Sequence, residues 1–285
     1  MNINEILKKG EQLLLEAGIA EAKWDAFYLL EHCFSMNRME YLMYGNKEAE
    51  PEREEKYFSL IEKRSSHIPL QQLTGVQDFM GYTFQVNEHV LIPRQDTEVL
   101  VEELLPLVKG KRVLDMCTGS GCILISLALG AGLKSAMGAD ISKEALEVAK
   151  GNAERLKMAD FVEKAPVFIE TDLFEQVTGC FDVIVSNPPY IETKELEDLM
   201  PEVRLHEPML ALDGMEDGLH FYRKIIAEAG KYLTDEGILA FEIGYNQGET
   251  VPQLMREAGF CEVKVKKDLA GLDRVVIGKL CKTKK

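Results

Sequence analysis

The run Ser186-Asn187-Pro188-Pro189-Tyr190 places an amide side chain, two consecutive prolines and an aromatic ring side by side. The prolines hold the chain extended, bias Asn187 and Pro188 away from helical backbone and remove two N–H donors. What remains is a set of acceptors. The Asn187 side-chain oxygen and the Pro188 carbonyl could each take one hydrogen from an NH2 group. Such help matters for an amide or aniline-like nitrogen, whose lone pair is delocalised until attack breaks the conjugation. Positive charge then develops on the nitrogen, and acceptors already in place stabilise it as an oxyanion hole stabilises the opposite charge. Holding that nitrogen in line with a methyl sulfonium lowers the entropic cost of displacement. No base of low pKa is needed before attack, because the proton can leave afterwards. Tyr190 would stack on the flat group and keep it in plane. Asn187, Pro188 and Tyr190 are therefore the candidate catalytic residues, and together with Pro189 the candidate substrate-binding residues.

A second constellation lies upstream, in Asp115-Met-Cys-Thr-Gly-Ser-Gly121. Gly119 and Gly121 let the backbone approach a ligand closely. The dinucleotide fingerprint G-x-G-x-x-G is not met, because Leu124 stands where its third glycine would be, and this speaks against a nicotinamide cofactor. Asp140 follows nineteen positions after Gly121, where an acid can accept from both ribose hydroxyls of an adenosine cofactor. Asp172 could line an adenine pocket or cap a turn. Cys117 and Cys122 read as small buried residues rather than nucleophiles.

These residues need a scaffold that brings them to one edge. After Pro93 the chain alternates strand and helix patterns: RVLDMC, GCILISLAL, KSAMGAD, SKEALEVAKGNAERL with Ser142 as N-cap, APVFIE, FDVIVS and GILAFEI. That alternation predicts an α/β fold with a largely parallel sheet and helices on both faces. CEVKVK and DRVVIGKL are joined without a helix and should form an antiparallel hairpin at one side of the sheet. Upstream, Ile6, Leu7, Leu13 and Leu14 fit one helical stripe, stopped at Gly18, while Trp24, Phe27, Leu30 and Phe34 form a second that reads as core. Pro51 opens a further helix. VQDFMGYTFQVNEHVLI reads as a hairpin. The organisation expected is a helical domain over 1–68, a β-hairpin connector over 69–92 and a catalytic domain over 93–285.

Composition narrows the partners. The 285 residues are 46% hydrophobic and 28% charged, which suits a globular chain with a real core. A net charge of -15 argues against binding spread along a phosphate backbone; Lys264, Lys266 and Lys267 could contribute to a local basic face, but read first as a solvated strand edge. The six cysteines form no C-x-x-C pair and the histidines fall at no zinc-ligand spacing relative to them, so reduced thiols and no metal are expected. MNINEILKKGEQ has no apolar h-region and no apolar run is long enough to span a bilayer, so a cytoplasmic protein without membrane contact is expected.

The sequence resembles the release-factor glutamine methyltransferases, the HemK-like or PrmC family, over nearly its whole length. The shared segments are the helical N-terminal region, Leu91-Ile-Pro-Arg-Gln-Asp-Thr-Glu98, Asp115 to Gly121, Ala139-Asp140-Ile-Ser142, Thr171-Asp-Leu-Phe174 and Asn187 to Tyr190. Glu207-Pro208 with Ala211-Leu212, Asp217-Gly218-Leu219, Phe241-Glu-Ile-Gly244 with Gln247, and Gly271-Leu-Asp-Arg274 complete the set. The resemblance implies a Rossmann-like class I S-adenosylmethionine-dependent methyltransferase sheet. It also implies N5-methylation of the glutamine in the Gly-Gly-Gln loop of peptide chain release factors, with S-adenosylhomocysteine as product and the helical domain helping to dock the release factor. Cys117, Thr118, Gly119, Ser120, Gly121, Asp140, Asp172, Leu173 and Asn187 would contact the cofactor. The departures are Cys117 for a glycine, Leu173 for an aromatic, Gln95 for a proline and Met215 for a glycine. Asn-Pro-Pro-Tyr alone is shared with adenine N6 methyltransferases of DNA and RNA, which are the alternative; a non-catalytic binding module is a further rival that the intact Asn187, Pro188 and Tyr190 oppose.

Overall fold

The computed structural model describes residues 1–281, so the last four residues of the region expected as the catalytic domain lie outside the described residues. The described chain divides into two compact units, Met1–Val76 with Met200–His206, and Gln77–Leu199 with Glu207 onward.

The first unit holds α1 (Ile3–Glu16), α2 (Ala22–Phe34), α3 (Arg38–Tyr44), α4 (Pro51–Ser65) and α5 (Leu70–Thr74). Asn2 with Glu5 and Asn37 with Glu40 form reciprocal capping boxes that start α1 and α3. Pro51 opens α4, where its missing N–H costs nothing. Ile6, Leu14, Leu29, Leu30, Tyr57 and Ile61 build the core. Gly10 faces Tyr57 so closely that a Cβ there would lie 2.1 Å from its hydroxyl. The expected second stripe is only partly core: Leu30 and Phe34 are buried, but Trp24 is 46% exposed. Its ring lies under the Arg38 guanidinium at 5.8 Å, a stacking that accounts for an aromatic left at the surface.

Helix α5 begins after Pro69 and stops at the left-handed Gly75, so the stretch expected as a connector opens with a helical turn. The hairpin follows as β1 (Val76–Phe79) and β2 (Tyr82–Gln85). Its turn residues Met80 and Gly81 both have positive φ, as a two-residue hairpin turn requires.

The second unit continues with α6 (Gln95–Val108), β3 (Arg112–Met116), α7 (Cys122–Ala131), β4 (Ser135–Asp140), α8 (Lys143–Arg155), β5 (Val167–Glu170) and β6 (Phe181–Ser186). The short helix α9 (Pro201–His206) belongs to the first unit. There Arg64, buried in α4, donates to Asp25 of α2 and to Glu202 of α9, each at 2.7 Å, and Gln72 donates to the His206 carbonyl at 2.7 Å. Then come α10 (His220–Tyr232), β7 (Leu233–Glu242), α11 (Thr250–Glu257), β8 (Phe260–Lys267) and β9 (Asp273–Leu280). The sheet order is β5-β4-β3-β6-β7-β9-β8; β5 through β7 are parallel and β9 runs antiparallel to both neighbours. Alternate residues serve opposite faces. Val113, Val183, Val185 and Ala240 enter one core with α6 and α7, whereas Leu114, Ile184, Leu239 and Phe241 enter the other with α10 and α11.

A disulfide joins Cys261 to Cys281, which corrects the expectation of reduced thiols throughout. The pairing of β8 with β9 carries the two Cα atoms to 5.5 Å, a separation that a disulfide spans. Cys33, Cys117, Cys122 and Cys180 are free. The anticipated basic face is largely neutralised, because Lys266 pairs with Glu103 at 3.0 Å and Lys267 with Asp273 at 2.9 Å. Among the described residues no helix is long and apolar enough to cross a membrane, and no group of His, Cys, Asp or Glu is placed to hold a metal ion.

Candidate active site

Strand register brings the two constellations to one edge. Met116, the last residue of β3, pairs with Ser186, the last residue of β6. The Ser186 hydroxyl donates to the Met116 carbonyl at 2.6 Å. The glycine loop and Asn187 therefore leave the sheet from adjacent points. Met116 also pairs with Ala139, which sets Asp140 beside the loop. This is the carboxyl edge of a parallel sheet, where open α/β sheets bind ligands.

Cys117, Thr118, Gly119, Ser120, Asp140, Asp172, Leu173 and Asn187 line one cleft, which lies wholly in the second unit and has about 1120 Å³ of free space counted out to solvent. Asp140 Oδ2 accepts from the Gly119 N–H at 2.8 Å and Oδ1 from the Ser142 N–H at 2.9 Å. Burial pushes its carboxyl up, while these backbone donors pull the other way. A Cβ added at Gly119 would meet nothing within 4 Å, so that stretch of backbone faces open space. Ile123, Ala145 and Leu173 supply apolar wall. An acid flanked by bare backbone and apolar wall fits an adenosine group, with Asp140 placed for ribose hydroxyls. Gly121 does not line the cleft. At φ +78 it turns the chain into α7, and a Cβ there would crowd Ile125 and Ala149 at 2.9 and 3.2 Å. Burial pushes the Cys122 thiol up to about 12 and the Cys117 thiol higher, so neither is a thiolate at neutral pH.

At the acceptor end Asn187 and Pro189 line the cleft, whereas Pro188 and Tyr190 do not. The Asn187 Nδ2 donates to the Thr97 hydroxyl at 3.5 Å, a long bond. Tyr190 is half-buried, and its hydroxyl donates to Glu242 Oε1 at 3.4 Å. Burial, reinforced by the Glu242 carboxylate, holds that phenol well above its usual range. The Tyr190 backbone is braced from behind: Gln247 Nε2 donates to its carbonyl and to that of Gly218, each at 3.2 Å, while Gln247 Oε1 accepts from the Gly244 N–H at 2.9 Å.

The N-terminal part of the chain matches the family model described as PrmC N-terminal domain over residues 5–75, and residues 94–206 match the methyltransferase small domain. A release factor glutamine methyltransferase of Geobacter sulfurreducens is 40% identical over 280 residues, covering 98% of this chain and 96% of its own. Its counterpart in Fusobacterium nucleatum is 38% identical over 281 residues, covering 96% of this chain and 78% of its own. This chain belongs to the release factor glutamine methyltransferase family. Solved structures add the fold alone. The hMettl16 catalytic domain superposes with a TM-score of 0.54 at 14% identity, covering 76% of this chain and 82% of that one. A methyltransferase of Pyrococcus furiosus gives 0.50 at 18%, covering 70% and 89%.

Seen as a family member, the chain's departures acquire physical reasons. Cys117 and Met215, where the resemblance leads to an expectation of glycine, have φ of +60 and +70, left-handed backbone that favours glycine. Gln95 is the first residue of α6, a position where proline is favoured because its missing N–H is not needed. The sequence singles out Thr97 only as part of the shared Leu91 to Glu98 segment. Arg94 occupies the N-cap, without a side-chain capping bond, while Thr97 is buried against Asn187 and Asp96 pairs with Arg274 at 3.3 Å. Glu207 was a motif residue without a role; its carboxylate accepts from the Arg94 guanidinium and, at 3.3 Å, from the Ile92 N–H. Only the position of Thr97 inside the Leu91 to Glu98 segment could have signalled it. Gly218 makes a direct test of the bracing. A Cβ there would fall 2.4 Å from the Tyr190 carbonyl oxygen, so Gly218→Ala should displace the Asn187 to Tyr190 segment and lower kcat about 10-fold. Steady-state methylation kinetics check this, and a wild-type kcat would show that the bracing does not set the site.

Proposed function

We propose that this chain transfers the methyl group of S-adenosylmethionine to N5 of the glutamine side chain in the Gly-Gly-Gln loop of peptide chain release factors. The observation that carries the reading is the Asn187 amide, whose nitrogen is turned to Thr97 so that its oxygen is left to accept. Asn187 Oδ1, helped by the Pro188 carbonyl, would bind the two hydrogens of the substrate amide and keep its nitrogen in line. As conjugation breaks, the same oxygens stabilise the developing positive charge. Tyr190 would flank the amide plane, with its ring tethered through Glu242. When bound, the cofactor supplies an electrophilic sulfonium methyl; Asp140 and the Cys117 to Ser120 loop would hold its adenosine part. No residue needs to remove a proton before attack, since the methylated nitrogen is strongly acidic afterwards.

The protein partner follows from the relatives' printed names and their near full-length match, which also leave the polynucleotide adenine alternative unfavoured. The helical first unit would then help to dock the release factor, and a cytoplasmic site of action fits a partner that works in translation. Incubation with isotopically labelled S-adenosylmethionine should place label on the glutamine of a release factor. A Gly-Gly-Ala variant and DNA should stay unlabelled. Label on DNA with none on protein would overturn the substrate assignment.

A further inference from the structure

Two buried polar residues behind Asn187 have no part in the reaction as described so far. Thr97 and Glu242 are each 2% exposed. They come from different elements, the first turn of α6 and the end of β7. Ser186 pairs with Phe241 across β6 and β7, so Asn187 and Glu242 are the next residues along neighbouring strands. The Thr97 hydroxyl accepts from Asn187 Nδ2 at 3.5 Å and lies near enough to the Glu242 carboxyl to favour its ionised form. Glu242 Oε1 accepts from Tyr190, whereas Oε2 has no hydrogen-bond partner.

We propose that Thr97 and Glu242 are positioning residues that fix which way the Asn187 amide faces, an inference that rests on Asn187 binding the substrate amide. A threonine hydroxyl owns a single hydrogen, and an ionised carboxylate can only accept. Facing Glu242, the Thr97 hydroxyl gives that hydrogen to the carboxylate and presents its lone pairs to Asn187. Asn187 must answer with its NH2, which leaves Oδ1 for the substrate. Were the hydroxyl hydrogen free to point at Asn187, the amide could turn over and offer the substrate NH2 a second NH2. Two donors cannot bond, and the nitrogen would lose its alignment.

The orientation therefore depends on Glu242 being ionised. Burial pushes its carboxyl up to about 7, with Asp96 acting in the same direction and Thr97, Arg274 and Tyr190 opposing. The Tyr222 hydroxyl faces the Glu242 backbone carbonyl at 2.8 Å rather than the carboxyl, and the Cys122 thiol on α7 is a further titratable neighbour. The raised carboxyl is ionised above neutrality and becomes protonated as pH falls below it. Protonated Glu242 is itself a donor, and the constraint on Thr97 is released.

The test compares wild type with Thr97→Val, Thr97→Ser and Glu242→Gln, scoring label on the release-factor glutamine on both sides of neutrality. Thr97→Val keeps the shape and removes the hydroxyl, so kcat should fall about 10-fold while KM for the release factor stays within about twofold. Thr97→Ser should restore most of the rate. The acid-side loss of kcat in wild type should flatten in Glu242→Gln, whose amide oxygen can still accept from Thr97 but does not titrate. Unimpaired Thr97→Val, a Thr97→Ser as slow as Thr97→Val, or an unchanged acid limb in Glu242→Gln would overturn the proposal. Absence of glutamine labelling by wild type would instead overturn the substrate reading, and the inference with it.

Discussion

Asn187→Ala should reduce release-factor methylation about 10³-fold at saturating S-adenosylmethionine, the scale expected when a preorganised charge-stabilising group is removed. Asn187 is half-buried, and its side chain makes a single long hydrogen bond to Thr97, so folding should lose only ~1 kcal/mol. The variant should therefore keep its thermal transition and much of its cofactor affinity while the chemical step collapses. Single-turnover transfer of labelled methyl separates these quantities. A variant that turned over at the wild-type rate would remove the acceptor from the mechanism, and one that had merely unfolded would show it in the melting curve.

A second large effect is expected at Asp140, and it should appear in binding. Both carboxylate oxygens already receive backbone N–H groups, from Gly119 and Ser142, yet each keeps a lone pair for a ribose hydroxyl. Bonds to a charged acceptor are worth about 1.5–3 kcal/mol each, so losing two should weaken the cofactor by at least ~100-fold. Asp140→Ala also releases the loop that Gly119 anchors. Titration calorimetry with S-adenosylmethionine reads the change directly. Unaltered affinity would sink the ribose assignment, whereas Asp140→Ala rescued to a near-normal kcat by excess cofactor would place the residue in binding alone.

The central strands were legible because their apolar runs are buried on both faces, as in β3 and β6, and FDVIVS coincides with β6. Ser142 was legible as an N-cap because the motif is local, and its hydroxyl does accept from the Ala145 N–H at 3.1 Å. The bonds between Thr97 and Asn187, and between Tyr190 and Glu242, were not legible. They join residues 90 and 52 positions apart, and only sheet register sets such neighbours. Phe241-Glu-Ile reads as strand whether or not its acid meets a tyrosine. Trp24 sits on an apolar stripe, but helical spacing cannot say which stripe meets a partner and which meets an arginine. Cys261 and Cys281 escaped for a similar reason: a separation of 20 residues becomes 5.5 Å only once β8 and β9 are paired.

The placement of α9 makes the two units inseparable as reading frames. The polypeptide leaves the first unit after Val76, returns at Met200 and leaves again after His206. A fragment ending at residue 76 would lack Glu202 and the His206 carbonyl, so Arg64 and Gln72 would each lose a partner they hold in the intact chain. A fragment beginning at residue 77 would carry six helical residues whose companions had been cut away. Residue 76 is thus a poor place to divide the gene, and grafting either unit onto another protein would require the Pro201–His206 segment to be moved or replaced along with it.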